Sequence, residues 1–339
     1  MSIVRSMEKG LGARIVYVIF SVVILSLVST PSSAADKPII LRGATMMPKN
    51  HVFNIMVQPF IDMVAKDSNG RIKIMWLGGP EVIKSFDKAE AVKRGTIDID
   101  LFNSFGFYRS LMPVGLAKGL STCSPSEERA NGLYELWDKN FQKYGNVKYL
   151  GQMTTSIEFY IYSMKKINTL EDMKGMTIRT MPLYVPFLKK LGVSPVNMPP
   201  TEVYTALQRG VVDGAIWPTF IKDWGWPELV KYVLNPGFFS VEAGAFVNLD
   251  KWNKIPKDLQ DVLLNAAIKI ENLCLQKFPE VAQDEFAVWK KAGMQYLDLS
   301  QEDTQKFLQI AYDETWKEVI RQAPEDGPKF KELTTQCAR

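Results

Sequence analysis

The sequence predicts an α/β protein built from two similar lobes, on three observations. The segments after the N-terminus follow the order strand, helix, strand, helix, strand, and the same order returns in the second half. Two near-copies, AVKRGTIDI at 91–99 and ALQRGVVDG at 206–214, join a helix to a strand through Arg-Gly-x-x-Asp. The length of 339 residues exceeds one ordinary core and suits two lobes.

The N-terminal segment has the layout of a secretory signal peptide. Arg5, Lys9 and Arg14 form a basic flank, and an apolar run of 14 residues follows at 15–28, ahead of small residues that suit cleavage. Such a run is short for a membrane span, although an uncleaved N-terminal anchor remains the alternative. We therefore expect residues 1–35 to be removed on export and exclude them from the fold prediction.

The net charge gives no support for two classes of partner. Residues 1–35 carry three basic residues and one acidic residue, so the net charge of +4 for the whole chain becomes +2 without them. That value is too small to predict binding to nucleic acid or to an anionic membrane surface. His51 is the single histidine, which excludes sites that need two, and we interpret it as opening a helix.

Three cysteines follow the N-terminal segment, at Cys123, Cys274 and Cys337. An exported protein can oxidise cysteines, but an odd number leaves at least one unpaired within a monomer. Their separations match no zinc-binding pattern. We expect two structural thiols and a third thiol near the C-terminus, while a single disulfide remains open.

The first half reads as a parallel sheet with helices on its faces. Alternation predicts three strands, at 38–47, 71–79 and 96–102. Apolar residues at helical spacing predict two helices, at 50–70 and 85–95. Ser124 and Glu127 then form a capping box, which predicts a helix that runs to about Phe141. Extended segments are expected after it, at 148–153 and 159–164.

The second half repeats this order. Three helices are predicted, at 169–175, 183–191 and 200–210. Three strands are predicted between and after them, at 176–181, 193–198 and 211–216. In both halves a helix ends at Arg-Gly, where glycine tolerates the left-handed cap conformation. The repeat favours two similar lobes, but helix–Gly–strand junctions look alike in any α/β protein, so both interpretations stay open on the motif alone.

The C-terminal part is predicted to be mainly helical. A segment at 241–256 is expected to return as a strand to the first lobe. A long helix follows to about Lys291, and Pro279 inside it should kink or split it. A capping box at Ser300 starts a final helix to about Arg321, which is long enough to brace both lobes.

Residues 175–218 resemble the solute receptors of tripartite ATP-independent periplasmic (TRAP) transporters. The matching features are Lys-Gly-x-x-Ile-Arg, Leu-Gly-x-x-Pro-Val, Glu-Val-Tyr-x-Ala-Leu-Gln and Gly-x-x-Asp-Gly, in that order. NGRIKIMWLGG and EAVKRGTIDID in the first lobe agree with them. Each motif is weak by itself, whereas the ordered set is specific and extends over essentially the whole mature chain.

The resemblance implies a bilobal periplasmic-binding-protein fold with crossing strands and a long C-terminal helix. The implied division is 36–156 plus 246–285 for lobe I, 157–245 plus 286–322 for lobe II with bracing helices, and 323–339 for a C-terminal tail. A receptor of this kind closes on a small organic anion in the periplasm and delivers it to a TRAP membrane permease. No catalysis, cofactor or metal is implied, and the short polar tail favours a monomer.

The ligand contact that the resemblance implies first is Arg179, in the Ile-Arg strand. Its planar guanidinium matches a carboxylate and stays charged. Sialic-acid receptors of the family carry a second arginine where this chain has Phe159, and asparagine where it has Trp217. Keto-acid receptors carry a cation-holding glutamate where this chain has Ile216. These departures predict a monocarboxylate with an apolar or aromatic body that lies against Trp217 and Phe159.

Further contacts are expected where strands of the first lobe end. Met46, Asn103 and Phe105 follow strand ends, where open α/β sheets place their ligands. Glu242 is a polar neighbour of the site, whereas Tyr184 and the tryptophans at 224 and 226 are interpreted as core. Loss of Arg179 is expected to weaken ligand binding and hardly to affect fold stability.

Two other functions compete with a TRAP receptor. A bilobal receptor for an ATP-driven importer or a sensor kinase would have the same lobes, so the sequence alone leaves it open. An enzyme is disfavoured because the sequence has one histidine, no phosphate-cradling glycine loop, no metal-ligand cluster and no paired cysteine motif.

Overall fold

A computed structural model describes residues 37–337, and the signal-peptide prediction for residues 1–35 lies outside them. In the described range the backbone forms eleven strands and ten α-helices, and none of these helices is long and apolar enough to cross a membrane. The strands are β1 (Ile39–Thr45), β2 (Ile72–Gly78), β3 (Ile99–Ser104), β4 (Val147–Gln152), β5 (Glu158–Ser163), β6 (Thr177–Thr180), β7 (Ser194–Asn197), β8 (Gly214–Pro218), β9 (Tyr232–Ser240), β10 (Ala243–Asn248) and β11 (Gln295–Asp298). The α-helices are α1 (Val57–Asp67), α2 (Lys88–Lys93), α3 (Pro125–Ala130), α4 (Leu133–Gly145), α5 (Val185–Lys190), α6 (Pro200–Gln208), α7 (Leu249–Trp252), α8 (Lys257–Lys291), α9 (Gln301–Gln322) and α10 (Gly327–Thr334).

The strands form two sheets that share one topology over five strands, and the second sheet has β11 as a sixth. The first sheet has the order β2-β1-β3-β10-β4, and the second has the order β7-β6-β8-β5-β9-β11. In each sheet three parallel strands come first, and the fourth strand runs antiparallel to both of its neighbours. Two lobes of one design are therefore present, which confirms the α/β fold class and the bilobal architecture.

Each sheet takes its antiparallel strand from the half of the chain that builds the other sheet. β5 follows β4 but joins the second sheet, and β10 follows β9 but joins the first. The chain thus passes from one sheet to the other between β4 and β5 and back between β9 and β10, before α8 leads on to β11. The first two crossings are hydrogen-bonded to each other, since Val241 N donates to Ile157 O at 2.8 Å. The expected crossing strands are confirmed, and the chain returns to the first lobe as β10. The strand is shorter than the expected segment 241–256, because Leu249–Trp252 form the helix α7.

The repeated Arg-Gly-x-x-Asp junction has the same structural role in both lobes. Gly95 and Gly210 have φ of +72° and +68°, the left-handed conformation that ends a helix. Asp98 donates its N–H to Arg42 O and accepts the Arg42 N–H on its carboxylate, both at 2.8 Å. Asp213 makes the corresponding pair with Thr177, at 2.7 and 2.9 Å. The aspartate therefore fixes the start of the central strand against its parallel neighbour.

Two expectations for helices are corrected. The helix predicted from Ser124 to Phe141 is divided into α3 and α4, because Gly132 adopts φ +85° between them. Its capping box is present, with hydrogen bonds in both directions between Ser124 and Glu127. By contrast, α8 is 35 residues long and includes Pro279, so of the two effects expected of this proline, a kink or a split, the split does not occur.

The long helices connect the lobes. The first part of α8 packs against α1 and β4, whereas its Glu285 accepts hydrogen bonds from the backbone N–H groups of Ile221 and Lys222 beyond the second sheet. α9 packs against α5 and against the 3-10 helix Pro113–Leu120. The expected bracing of both lobes by the final long helix is confirmed by these contacts.

The C-terminal tail is folded and covalently attached. Cys123 and Cys337 form a disulfide across a sequence separation of 214 residues, and Cys274 is a buried thiol. The expectation of two structural thiols is therefore wrong, and the single disulfide that was left open is present. In the same tail α10 packs Phe330 against Trp137, with ring centroids 4.2 Å apart.

Reduction of this disulfide is predicted to destabilise the protein. Closing so long a loop restricts the unfolded chain, which in the chain-entropy treatment stabilises the native state by up to about 5 kcal/mol. We expect dithiothreitol to lower the melting temperature of the wild type by several degrees. In Cys337→Ser the lower melting temperature should already be present, and the reductant should change nothing more. An unchanged wild-type melting temperature under reductant would contradict the stabilising role.

Candidate functional site

A cavity of about 510 Å³ lies between the two lobes. Its volume falls within the range typical of small-molecule sites. The first lobe contributes residues that follow β3, and the second contributes residues of β5 and of the segment after β6. The lining residues are Phe86, Ser104, Gly106, Phe107, Arg109, Ser110, Leu116, Phe159, Met181, Pro182, Leu183, Tyr184, Asn197 and Glu242.

A narrower cavity of about 40 Å³ adjoins this wide cavity. The two share Ser104, Phe107, Phe159, Met181 and Glu242 among their lining residues. The narrow cavity adds residues from both lobes, chief among them Met46 after β1 and Trp217 on β8, so four of the residues expected at the site come together here: Met46, Phe159, Trp217 and Glu242.

Arg179 lies behind Trp217 and lines neither cavity. Its Cζ is 5.2 Å from the centre of the Trp217 ring, and its side chain is almost fully buried, with 1% of its surface exposed. Nε and Nη2 donate to Met198 O at 3.1 and 2.9 Å, and Nη1 donates to Ile216 O at 3.0 Å. These bonds fix the plane of the guanidinium against one carbonyl just after β7 and one in the middle of β8.

The charge of Arg179 has no acidic partner within residues 37–337, where none of the ion pairs includes it. Burial lowers the pKa of Arg179 to about 10, so the side chain still carries its proton at neutral pH. A guanidinium has five N–H donors, and three of them are used. Each terminal nitrogen therefore retains one donor for an anion.

Trp217 separates this cation from the cavities. Its Nε1 donates to Phe220 O at 3.1 Å, which holds the indole in place. Phe159 lies on the neighbouring strand β5 and packs against Tyr184, with ring centroids 5.2 Å apart. Tyr184 was expected to be core, yet it also forms part of the wall of the wide cavity.

Glu242 is a buried carboxyl group that lines both cavities. It lies at the second crossing between the lobes, next to β10. Ser104 Oγ donates to its Oε1 at 2.7 Å, and Gly106 N lies 3.4 Å from the same oxygen. Burial raises the pKa of Glu242 to about 7, so near neutral pH a large fraction of this side chain is a neutral hydrogen-bond donor.

Two residues expected at the site are not brought to it. Ser104, at the end of β3, faces the cavity, and successive side chains of a strand face opposite sides, so Asn103 points into the core. There it donates to Asp100 at 2.7 Å. Phe105 packs its ring edge-to-face among aromatic side chains of the first lobe, namely Trp137, Phe141, Tyr149 and Phe246. Both assignments to the ligand site are corrected.

Several lining residues were missed by sequence reasoning. Phe107 and Arg109 lie in the segment that follows β3, and Met181 directly follows the Ile-Arg strand. Their signal was position alone, since all three come just after the carboxyl ends of parallel strands. Asn197 ends β7 and could have been found by the same rule.

His51 opens the 3-10 helix Val52–Met56, as the sequence predicts. Its Nδ1 accepts a hydrogen bond from the N–H of Phe53 at 3.2 Å. Its ring packs against Trp224 of the other lobe, with ring centroids 5.5 Å apart. Burial lowers the pKa of His51 to about 4, and Asp223 opposes that shift. Protonation of Nδ1 is incompatible with the hydrogen bond from Phe53, because both nitrogens would then be donors.

Comparison with known proteins identifies the family. The model of the bacterial extracellular solute-binding proteins, family 7 (DctP), matches residues 43–322, and the chain belongs to that family. A monocarboxylate 2-oxoacid-binding periplasmic protein of Nostoc sp. is 24% identical over 283 residues, which cover 80% of this chain and 77% of that protein. The resemblance drawn from residues 175–218 is thus confirmed.

Solved structures have the same fold. A TRAP periplasmic solute-binding protein of Desulfovibrio salexigens with bound orotic acid superposes with a TM-score of 0.79 at 22% identity, covering 87% of this chain and 97% of that one. A Bordetella pertussis extracytoplasmic solute receptor that binds pyroglutamic acid gives a TM-score of 0.76 at 16% identity, covering 88% and 99%.

Acid is predicted to destabilise the native state through His51. The pKa of His51 is lower in the folded than in the unfolded protein, so its contribution to stability is complete above pH 6.5 and is lost as the pH falls towards 4. The loss amounts to about 3 kcal/mol. His51→Asn retains an acceptor at the helix start but does not titrate. We expect the difference in unfolding free energy between wild type and variant to shrink from pH 7 to pH 4.5; a constant difference would contradict this role.

Proposed function

We propose that this protein is a periplasmic receptor that binds a small organic acid between its lobes and delivers it to a TRAP membrane permease. The observation that carries the proposal is Arg179, a buried guanidinium with two remaining donors and no acidic partner in the described range, next to an inter-lobe cavity. A buried cation of this kind is stabilised by an anion that bonds to it directly.

The walls of the two cavities support an acid with an apolar body. Phe107, Phe159 and Met181 line both cavities, and aromatic faces of this kind bury large apolar area. The carboxylate would bond to Arg179 and the body would lie against Trp217 and Phe159. For the carboxylate to reach Arg179, the side chain of Trp217 has to move, because its ring lies over the guanidinium.

Ligand binding and lobe closure are coupled in this proposal. Residues of both lobes line the cavities, so a ligand that contacts both lobes favours their closed arrangement over an open one. Closure excludes water, which strengthens the interaction between guanidinium and carboxylate. No bond of the ligand is made or broken, so the protein acts as a receptor and needs no cofactor.

The relatives support an acid as ligand and the periplasm as location. The Nostoc protein is named for monocarboxylate 2-oxoacids, and the two solved structures are described with orotic acid and pyroglutamic acid. The same names place the relatives in the periplasm or outside the cytoplasm. We extend both properties to this chain and propose a monomer that docks transiently on the permease.

Thermal shift with a panel of acids tests the proposal. A ligand at 100 times its Kd adds about 2.7 kcal/mol of stability, which raises the melting temperature by several degrees. We expect an aromatic or long-chain monocarboxylate to raise it and the matching neutral amide not to do so. If no carboxylate shifts the melting temperature and none is released from the denatured protein into mass spectrometry, the proposed function is wrong.

Substitution of Arg179 tests the assigned contact. Arg179→Lys keeps the charge but loses the planar fork, and Arg179→Ala loses both, so affinity should fall in that order, by about 2–5 kcal/mol for alanine. The three hydrogen bonds of Arg179 predict that alanine also lowers fold stability, which differs from the expectation drawn from the sequence alone. Affinity must therefore be measured by calorimetry on folded protein well below its melting temperature. Equal ligand affinities in wild type and in both variants would show that Arg179 does not bind the ligand.

The protonation of Glu242 predicts a pH dependence of ligand affinity. Above its pKa of about 7 the carboxylate repels an anionic ligand in the same cavity, so affinity should fall as pH rises from 6 to 8. The fall is at most about tenfold per pH unit. Glu242→Gln should abolish it, whereas Asp100→Asn should not, since the pKa of Asp100 is also raised to about 7 but the residue lies outside both cavities. The same slope in Glu242→Gln and in wild type would contradict this assignment.

A further inference from the structure

Residues 219–222, here called the latch segment, connect Trp217 on β8 to the long helix α8. Trp217 Nε1 donates to Phe220 O at 3.1 Å. The next two residues of the segment donate their backbone N–H groups to Oε1 of Glu285 on α8, at 2.8 and 2.7 Å. A continuous series of hydrogen bonds and backbone therefore leads from α8 to the indole of Trp217.

Glu285 is a fully buried carboxyl group. Its Oε1 accepts a third hydrogen bond, from Nε1 of Trp289 on the same helix at 2.9 Å. Burial raises the pKa of Glu285, and the three N–H groups oppose that shift. Burying a carboxyl group is unfavourable unless it is hydrogen-bonded, so these donors and the carboxyl group hold one another in place. Glu285 lines neither cavity, and its contacts are with the latch segment and its own helix.

The first lobe contacts the latch segment as well. The ring of Phe220 packs edge-to-face against Phe53 of the first lobe, with centroids 5.4 Å apart. Trp217 packs edge-to-face against Trp224, with centroids 5.7 Å apart, and Trp224 packs against His51 of the first lobe. The position of Trp217 therefore depends both on α8 and on the contact between the lobes.

Trp217 in this position covers Arg179. The centre of its ring lies 5.2 Å from Cζ of Arg179, whose terminal nitrogens each retain one donor. An anion reaches these donors only after the indole has moved, which requires that the bond to Phe220 O breaks or that this carbonyl shifts. Because Glu285 fixes the two residues after that carbonyl, the shift is restricted.

We propose that Glu285 is a positioning residue that controls access to Arg179, because it holds the latch segment that keeps Trp217 over the guanidinium. The inference rests on the proposed function, in which Arg179 bonds to the acidic group of the ligand. Glu285 does not touch the ligand in this arrangement. It acts through the latch segment and Trp217, and it thereby connects the helix that joins the lobes to the anion site.

Chemical modification of Arg179 tests the inference without a ligand. Phenylglyoxal reacts with the neutral form of an arginine side chain. Burial lowers the pKa of Arg179 to about 10, so an uncovered Arg179 would react faster than an exposed arginine such as Arg94. In wild type we expect Trp217 to keep Arg179 slower than Arg94, measured by mass spectrometry of the peptides over a time course.

Three substitutions of Glu285 locate the effect. Glu285→Ala removes the acceptor for the latch segment and should raise the rate at Arg179, relative to Arg94, by about tenfold or more. Glu285→Gln keeps an acceptor oxygen at the same place and should react as wild type does. Glu285→Asp withdraws the carboxylate by one methylene and should raise the rate less, and it provides the test if the alanine variant does not fold.

The bond between Trp217 and the latch segment is tested by Trp217→Phe. This variant keeps an aromatic ring but loses the Nε1 donor, so the rate at Arg179 should rise. Combination with Glu285→Ala should add no further rise, because both changes break the same series of hydrogen bonds. Additive effects would show that the two residues act separately and would overturn the inference.

Two controls separate this role from general loosening of the helix. Glu280→Ala removes an exposed carboxylate of α8 and should leave the rate at Arg179 unchanged. Arg129 bonds to Glu271, earlier on the same helix, so its reactivity reports on the helix itself. The rate at Arg129 should not change in Glu285→Ala.

The outcomes separate this inference from the proposed function. Arg179 that reacts as fast as Arg94 in wild type, or that is unchanged in Glu285→Ala and Glu285→Asp, overturns the role of Glu285 and leaves the receptor function intact. A parallel rise at Arg129 overturns it as well, because it indicates a loosened helix. The receptor function fails by a different measurement, the absence of any thermal shift with carboxylates, so the two failures are distinguishable.

Discussion

The exchange of one strand between the two sheets is the constraint on which the rest of the structure depends. A strand inside a sheet needs hydrogen-bond partners for its backbone groups on both sides. β5 and β10 therefore cannot leave their sheets without breaking the hydrogen bonds to both neighbouring strands. The crossings that feed them are bonded to each other, with Met153 N donating to Ala243 O at 2.7 Å and Thr154 Oγ1 donating to Val241 O at 3.2 Å. The lobes are therefore joined next to the cavities, which Glu242 lines.

This constraint also positions the polar and aromatic parts of the site. Glu242 belongs to one crossing and Phe159 to the strand that begins at the other, so both are placed next to the cleft by main-chain hydrogen bonds. Arg179 is held by carbonyls after β7 and within β8, in the lobe that receives β5. The site thus combines Arg179, which has no acidic partner within residues 37–337, with a carboxyl group whose pKa is about 7. An organic anion complements this charge distribution.

Local patterns in the sequence predicted the two blocks of alternating strands and helices, whereas the crossing strands were implied only by the family resemblance. The two Arg-Gly-x-x-Asp junctions favoured matching lobes, because glycine conformation and strand start are local properties. β9 was missed because Asn235-Pro-Gly within it has the composition of a turn. The disulfide joins residues 214 apart, a separation on which no local pattern reports. Phe105 was misplaced because a residue near a strand end can face either the cleft or the core.

A receptor that carries an unpaired buried cation differs physically from one that carries a neutral pocket. In the empty state the carbonyl groups of Met198 and Ile216 solvate Arg179 only partly, since they supply dipoles and no net charge. An anion that arrives supplies the missing charge in a site already shielded from water, so the gain on binding is concentrated in the fully formed, closed arrangement. A neutral analogue of the same shape gains only apolar burial. The same electrostatic interaction then accounts for two properties of the receptor. It discriminates acid from amide, and it couples binding to lobe closure.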